Sequence, residues 1–339
     1  MGKHSNKLNT LQYLRAIAAL VVVYSHTVTQ VPMYEARLLH FGGFGVDIFF
    51  VISGFIMVFI ARPGDTPRRF LTNRISRVVP LYWAMTLLMA VILLIAPDVF
   101  KTAQYDTVVV LKSLFFIPHF SQSYPDMLWP IVAPGWSLNY EMYFYCIFAI
   151  ALLAPLRHQV WVISAIIAVV YVLATLSQSN HPVSLFLQDA IVFEFVLGML
   201  LAKAWLAGWR VGQWTALSLI VAGFVILLMD LPLPRLVSFG IPSLMVVIGT
   251  LNFSMPRIDW MVLLGDSSYA LYLWHIFALG LCRKIFPPLL GDSMMGAVLF
   301  VVLSLLTCIL TSLPVHWYID NWLLKRERLA SFKSAEAVR

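Results

Sequence analysis

Leu11-Gln12-Tyr13-Leu14-Arg15-Ala16-Ile17-Ala18-Ala19-Leu20-Val21-Val22-Val23-Tyr24-Ser25-His26-Thr27-Val28-Thr29-Gln30-Val31 has the length and apolarity of a bilayer-crossing helix, yet it carries an arginine and a histidine. Eleven residues make about three helical turns and roughly 20°, so a helix projects Arg15 and His26 from one face, at levels about 16 Å apart. An ionisable group at such depth costs ~2.5–3.5 kcal/mol on insertion scales, which makes each a functional candidate. The plainer alternative is that Arg15 snorkels to the interface and His26 hydrogen-bonds a neighbouring helix.

The remainder of the chain agrees with lipid as the solvent. Of 339 residues, 61% are hydrophobic and 12% charged, a balance outside that of soluble globular domains. Apolar segments of about 20 residues recur and no polar stretch is long enough for a soluble domain, so an all-α polytopic membrane helix bundle is expected. Its boundaries are one integral membrane domain over 1–325 and a basic cytoplasmic tail over 326–339. The three cysteines, Cys146, Cys282 and Cys308, fall in apolar runs, which argues for packing rather than a disulfide framework or a metal cluster. No metal is expected. The run after Lys3 and Lys7 is longer than a signal-peptide core and reads as a retained first span.

Apolar runs bounded by Gly, Pro and charge predict about ten spans, at 11–31, 41–61, 78–96, 135–155, 160–177, 187–206, 213–230, 236–251, 261–281 and 293–317. With that count, and leaving out the intramembrane Arg15, sixteen Lys and Arg fall on one side and six, including Arg235 and Arg283, on the other. Both termini are therefore predicted to be cytoplasmic. The net charge of +7 is thus topology, and nucleic acid is not an expected partner. Residues 97–134, broken by Pro97, Pro118, Pro125, Pro130 and Pro134, read as an interfacial or re-entrant segment on the outer side.

Counting along each span places the polar residues in two layers. The outer one holds His26, Asp47, Glu141, His275 and Glu194. A neutral imidazole oriented by a carboxylate can take a proton from an alcohol, which makes His26 the candidate base and Asp47 or Glu141 its partner. His275, preceded by Tyr269, Tyr272 and Trp274, reads as an interfacial hydrogen-bonding group more than a catalytic one. The inner layer is cationic. Arg74 and Arg77 stand side by side at i, i+3, with Arg68 and Arg69 just before them and Arg15 at nearly the same level. Guanidinium forks suit phosphate, although positive-inside charge alone accounts for part of this cluster. An anionic molecule gripped by the arginines and reaching about 16 Å to the histidine has the shape of coenzyme A, with phosphates at one end and a thioester at the other.

Five stretches then coincide with a known pattern. They are Gln12-Tyr13-Leu14-Arg15 with His26, Gly45-Val46-Asp47-Ile48-Phe49-Phe50-Val51-Ile52-Ser53-Gly54-Phe55, Arg74 to Pro80 with Leu81-Tyr82-Trp83, Gly135-Trp136-Ser137-Leu138-Asn139-Tyr140-Glu141, and Ser267-Ser268-Tyr269-Ala270-Leu271-Tyr272-Leu273. In this order and spacing, the chain resembles the acyltransferase-3 family of integral membrane acyltransferases, most of all the stand-alone members that acetylate bacterial exopolysaccharides. The resemblance implies a bundle of roughly ten helices that moves an acyl group, usually acetyl, from cytoplasmic acyl-coenzyme A to an acceptor on the far side, often a sugar hydroxyl. It also implies His26 as the catalytic histidine and Arg15, Arg74 and Arg77 as donor-binding residues, with Asp47 and Glu141 at acidic motif positions. The chain departs from the pattern at Tyr318-Ile319-Asp320-Asn321, where relatives often carry Glu-Lys. It shows no hydrolase-like domain after the last span, so a two-domain relay is not expected.

The expected activity is therefore O-acyl transfer from acetyl-coenzyme A to a carbohydrate, an exopolysaccharide or its lipid-linked precursor, in contact with membrane lipid. Trp136, Ser137, Asn139 and Tyr140 at the head of the fourth span are candidate donors to the developing oxyanion, and His275 a candidate substrate contact. A proton-coupled transporter or flippase is the alternative from another class, because intramembrane His, Asp, Glu and Arg also mark ion relays. Transporters commonly repeat their halves, and residues 1–160 and 161–339 show no such correspondence.

Overall fold

A computed structural model describes residues 2–41, 43–96, 104–253 and 255–320. The tail expected over 326–339 lies outside the described residues, as does Asn321. The protein is an all-α membrane helix bundle, with no strand among the described residues. Its helices are α1 (Gly2–Val28), α2 (Pro32–Glu35), α3 (Gly45–Ile60), α4 (Pro67–Ile95), α5 (Thr107–Leu114), α6 (Gly135–Ala151), α7 (Leu156–Leu176), α8 (Pro182–Leu187), α9 (Phe193–Leu206), α10 (Gln213–Leu228), α11 (Ile241–Asn252), α12 (Asp259–Asp266), α13 (Ser268–Ile285), α14 (Pro287–Leu290) and α15 (Met294–Val315). Each of the ten predicted spans contains a helix. Among the described residues, five helical segments are long and apolar enough to cross a bilayer alone, or six when α12 and α13 are taken as one bent span.

Two of the helices that fall short of a full-length span, α3 and α6, start against the middle of other helices. A Cβ on Gly45, the first residue of α3, would lie 2.2 Å from the carbonyl oxygen of Ala18, in the middle of α1. One on Gly135, the first residue of α6, would lie 2.6 Å from the ring of Tyr82, midway along α4. At Gly45 the backbones approach more closely than any side chain permits, and at Gly135 the space a Cβ needs is taken by the Tyr82 ring and Pro130. The predicted ninth span is likewise divided, α12 and α13 meeting at Ser267 with a bend of 70°.

The tightest helix pair is α3 with α9. Cβ atoms on Gly54 and Gly198 would stand 2.1 Å from the Phe195 carbonyl oxygen and 2.0 Å from that of Val51, so the two helices touch backbone to backbone. In lipid, where no hydrophobic gain separates helix from acyl chain, such close packing is what drives association. Around this contact Phe50, Phe144 and Phe195 stack at 4.4–4.5 Å between centroids and fill the bundle centre.

The 97–134 region is described from residue 104. Asp106 caps α5, accepting from the backbone N–H of Val108 at 2.6 Å and of Val109 at 3.1 Å, and these donors hold its carboxyl below the usual carboxylate range. At 8 residues α5 is too short to cross a bilayer. The chain then descends through buried Ile131 and Val132 to the start of α6.

Candidate functional site

Arg15 of α1 and Arg74 and Arg77 of α4 converge on one cavity of about 120 Å³, with Ser137, Glu141 and Tyr145 of α6 and Ser268, Tyr269 and Tyr272 of α13. Arg15 donates to Ser268 Oγ at 3.0 Å and to Gln12 Oε1 at 2.9 Å, and Gln12 in turn donates to Asp266 at 2.7 Å. That chain of bonds fixes one guanidinium against the bend between α12 and α13. Arg74 lies with its guanidinium 5.8 Å from the Phe70 ring, and its Nε is buried with no acceptor. Neither Arg74 nor Arg77 enters an ion pair among the described residues. The cavity thus gathers three guanidinium groups, the N-terminal turn of α13 and one carboxylate, Glu141, which accepts from the Tyr145 hydroxyl. A buried donor without an acceptor beside two further arginines fits a phosphate-bearing ligand.

His26 stands at the other end of α1, on the same side as Arg15, since both face α13. Its ring lies 5.1 Å from that of His275, tilted by 41°. His275 is fully buried, with Nδ1 3.3 Å from the Leu271 carbonyl oxygen and Nε2 without a partner. His26 also lines a second cavity of about 380 Å³, together with Gln30, Gln122, Tyr124, Trp129 and Arg283. The two cavities share no lining residue. Tyr272 and Phe49 line the first cavity, Tyr272 with its ring centroid 6.2 Å from that of His275 and Phe49 6.2 Å from Tyr272.

The expected partnership of His26 with Asp47 or Glu141 is not the arrangement found. Glu141 belongs with the arginines, and Asp47 makes a salt bridge to Arg235 at 3.0 Å. Both displacements follow from the early starts of α3 and α6, which put each carboxylate deeper than counting from a membrane surface suggests. Asp47 follows a residue packed on Ala18, eight positions before His26 and so about 12 Å from its level. Arg235, at the end of the loop before residue 236, directs a half-buried guanidinium inward to Asp47, 5.8 Å from the Trp136 ring and 5.6 Å from Phe239. Fully buried Glu194 completes this group beside Asp47 and Arg235.

The four candidates at the head of α6 divide among these places. Ser137 lines the arginine cavity, its hydroxyl 2.7 Å from that of Tyr272, which donates to the Pro134 carbonyl at 2.9 Å. Trp136 and Tyr140 turn toward Arg235 and Asp189, Tyr140 donating to Asp189 at 3.2 Å. Asn139 is buried with its Oδ1 unpartnered. Among the described residues no group of three or more His, Cys, Asp or Glu could hold a metal ion.

The family model described as an acyltransferase domain, that of acyltransferase-3, matches residues 8–313, nearly the whole chain. The protein belongs to the acyltransferase-3 family. It is similar to the exopolysaccharide production protein ExoZ of Rhizobium meliloti strain 1021, with 34% identity over 300 residues, covering 85% of this chain and 91% of the relative. It is also similar to the acyltransferase MdmB of Streptomyces mycarofaciens, 25% identical over 323 residues, covering 84% and 82% of the two chains. No solved structure matches significantly. This acyltransferase therefore carries its polar residues in three groups, and the sequence left Tyr145, Ser268, Tyr272 and Arg235 without a role. Glu141 and Tyr145 at i, i+4 were a readable signal. The pairing of Arg235 with Asp47, 188 residues away, had no local one.

Proposed function

We propose that this membrane acyltransferase moves an acyl group, acetyl in the first instance, from acyl-coenzyme A to a hydroxyl of a carbohydrate, an exopolysaccharide or its lipid-linked precursor. The observation that carries the reading is the convergence of Arg15, Arg74 and Arg77 on one cavity while His26, on the same side of α1, lines another. In this reading the arginines hold the donor's phosphates at the cytoplasmic side and its thioester reaches toward His26. The acceptor hydroxyl oxygen attacks the thioester carbon, the carbon–sulfur bond breaks, and His26 takes the hydroxyl proton and returns it to the departing thiolate. His275, against His26, orients the imidazole, and the arm passes Tyr272. The name of the similar protein ExoZ supports an exopolysaccharide as the acceptor.

The test is transfer of radiolabelled acetyl from acetyl-coenzyme A by the purified full-length protein. A general base contributes about 10²–10⁴ in rate, so His26→Ala should lower turnover by that factor while acetyl-coenzyme A binding is unchanged. Coenzyme A-independent movement of the glycan that survives the substitution would overturn the reading in favour of a transporter.

A further inference from the structure

The second cavity has a lining unlike the first. Where the arginine cavity is cationic, this one presents amides, hydroxyls and an aromatic pair, with Arg283 the one cation among its described lining residues. Its aromatic wall comes from the loop after α5. Tyr124 and Trp129 pack edge to face, with centroids 5.2 Å apart and planes at 63°. The loop is a closed turn, in which Ser121 N–H donates to the Met127 carbonyl at 2.8 Å and Met127 N–H to the Tyr124 carbonyl at 2.9 Å. It is tied down by Gln122, whose amide donates to the capping carboxylate of Asp106 at 2.7 Å. That bond engages the Gln122 nitrogen and leaves its carbonyl oxygen as an acceptor. Gln30, on the α1 side, is committed in the same sense, its nitrogen 3.3 Å from the His26 carbonyl oxygen.

Rigid aromatic faces beside amide acceptors match a ligand that has apolar C–H faces and a rim of hydroxyl donors. A pyranose is such a molecule; a lipid chain has no use for the amides and a phosphate none for the rings. We propose that this cavity is a glycosyl-binding site, with Tyr124 and Trp129 as its stacking wall and Gln30 and Gln122 as the groups that select the sugar. The proposal rests on the acceptor reading given above and deepens it. It assigns selection among sugars to a loop far in sequence from the arginines, and it brings the bound hydroxyls to His26, which lines the same cavity.

The test is equilibrium binding to the full-length protein in nanodiscs, separate from turnover. The probes are a tritiated, de-O-acylated repeat-unit oligosaccharide from the source cell's own polysaccharide, the same glycan on a polyprenyl diphosphate, and acetyl-coenzyme A. Tyr124→Ala and Trp129→Ala are expected to weaken glycan binding at least tenfold with acetyl-coenzyme A binding within twofold, and Arg74→Ala to do the reverse. Binding of both glycans assigns the site to the sugar itself; binding of the lipid-linked form alone assigns it to the precursor. If Trp129→Ala loses both ligands it has misfolded, and Tyr124→Ala, whose side chain is exposed, decides. Wild-type protein that binds neither glycan, or a Tyr124→Ala variant that binds as wild type, overturns the proposal. Glycan binding that needs Tyr124 in a protein without acetyl transfer would keep this site and overturn the enzymatic reading instead.

Discussion

Arg74 is the residue at which sequence and structure give the sharpest joint prediction. Its Nε is buried without an acceptor, a cost the fold carries for a donor group held ready. Removing a hydrogen bond to a charged group costs roughly 1.5–3 kcal/mol, so Arg74→Ala should raise the Kd for acetyl-coenzyme A about ten- to a hundredfold, read by titration calorimetry. Arg74→Lys should recover part of that loss, because a lysine keeps the charge and loses the planar fork. An unchanged Kd in both variants would remove Arg74 from the donor site. The arginines were legible because one period, 3.6 residues, governs Arg74 with Arg77 and Arg15 with His26 alike. The carboxylates were not. Their depth was reckoned from the ends of the apolar runs, whereas α3 and α6 begin against Ala18 and Tyr82, in the middle of other helices.

Those early starts are properties of elements, and glycine contacts decide them. The α3–α9 crossing can be probed directly, because a Cβ at Gly54 or Gly198 would meet backbone carbonyl oxygens at 2.1 and 2.0 Å, and backbone cannot rotate away. Overpacking in a well-packed core typically costs ~1–3 kcal/mol, so Gly54→Ala and Gly198→Ala should each lower the thermal midpoint in detergent, by tryptophan fluorescence. Gly212→Ala is the control. It has open space around its Cβ position and an ordinary φ of −66°. Equal midpoints for all three variants would show that α3 and α9 are not in backbone contact. The run Gly45 to Phe55 reads simply as a span in sequence, since apolar periodicity reports which face is buried and says nothing of how near the neighbouring backbone comes.

At the scale of the whole molecule, the bundle holds its arginine cavity and its histidine cavity at different levels of α1, with Tyr272 lining the first and its ring 6.2 Å from that of His275. Such a partition makes sense for a catalyst whose two substrates arrive from opposite sides. On the proposed reading, with sixteen Lys and Arg expected on the arginine side against six on the other, that cavity faces the cytoplasm. In sealed vesicles of known orientation, acetyl-coenzyme A supplied at the cytoplasmic face should acetylate a glycan present only at the opposite face. The same two substrates supplied together at the face away from the arginines should give no product until the vesicles are permeabilised, because a polyanionic donor does not cross the bilayer unaided. Equal rates from both faces before permeabilisation would mean that one opening serves both cavities, and that the separation of Arg15 from His26 along α1 is not the path the acyl group takes.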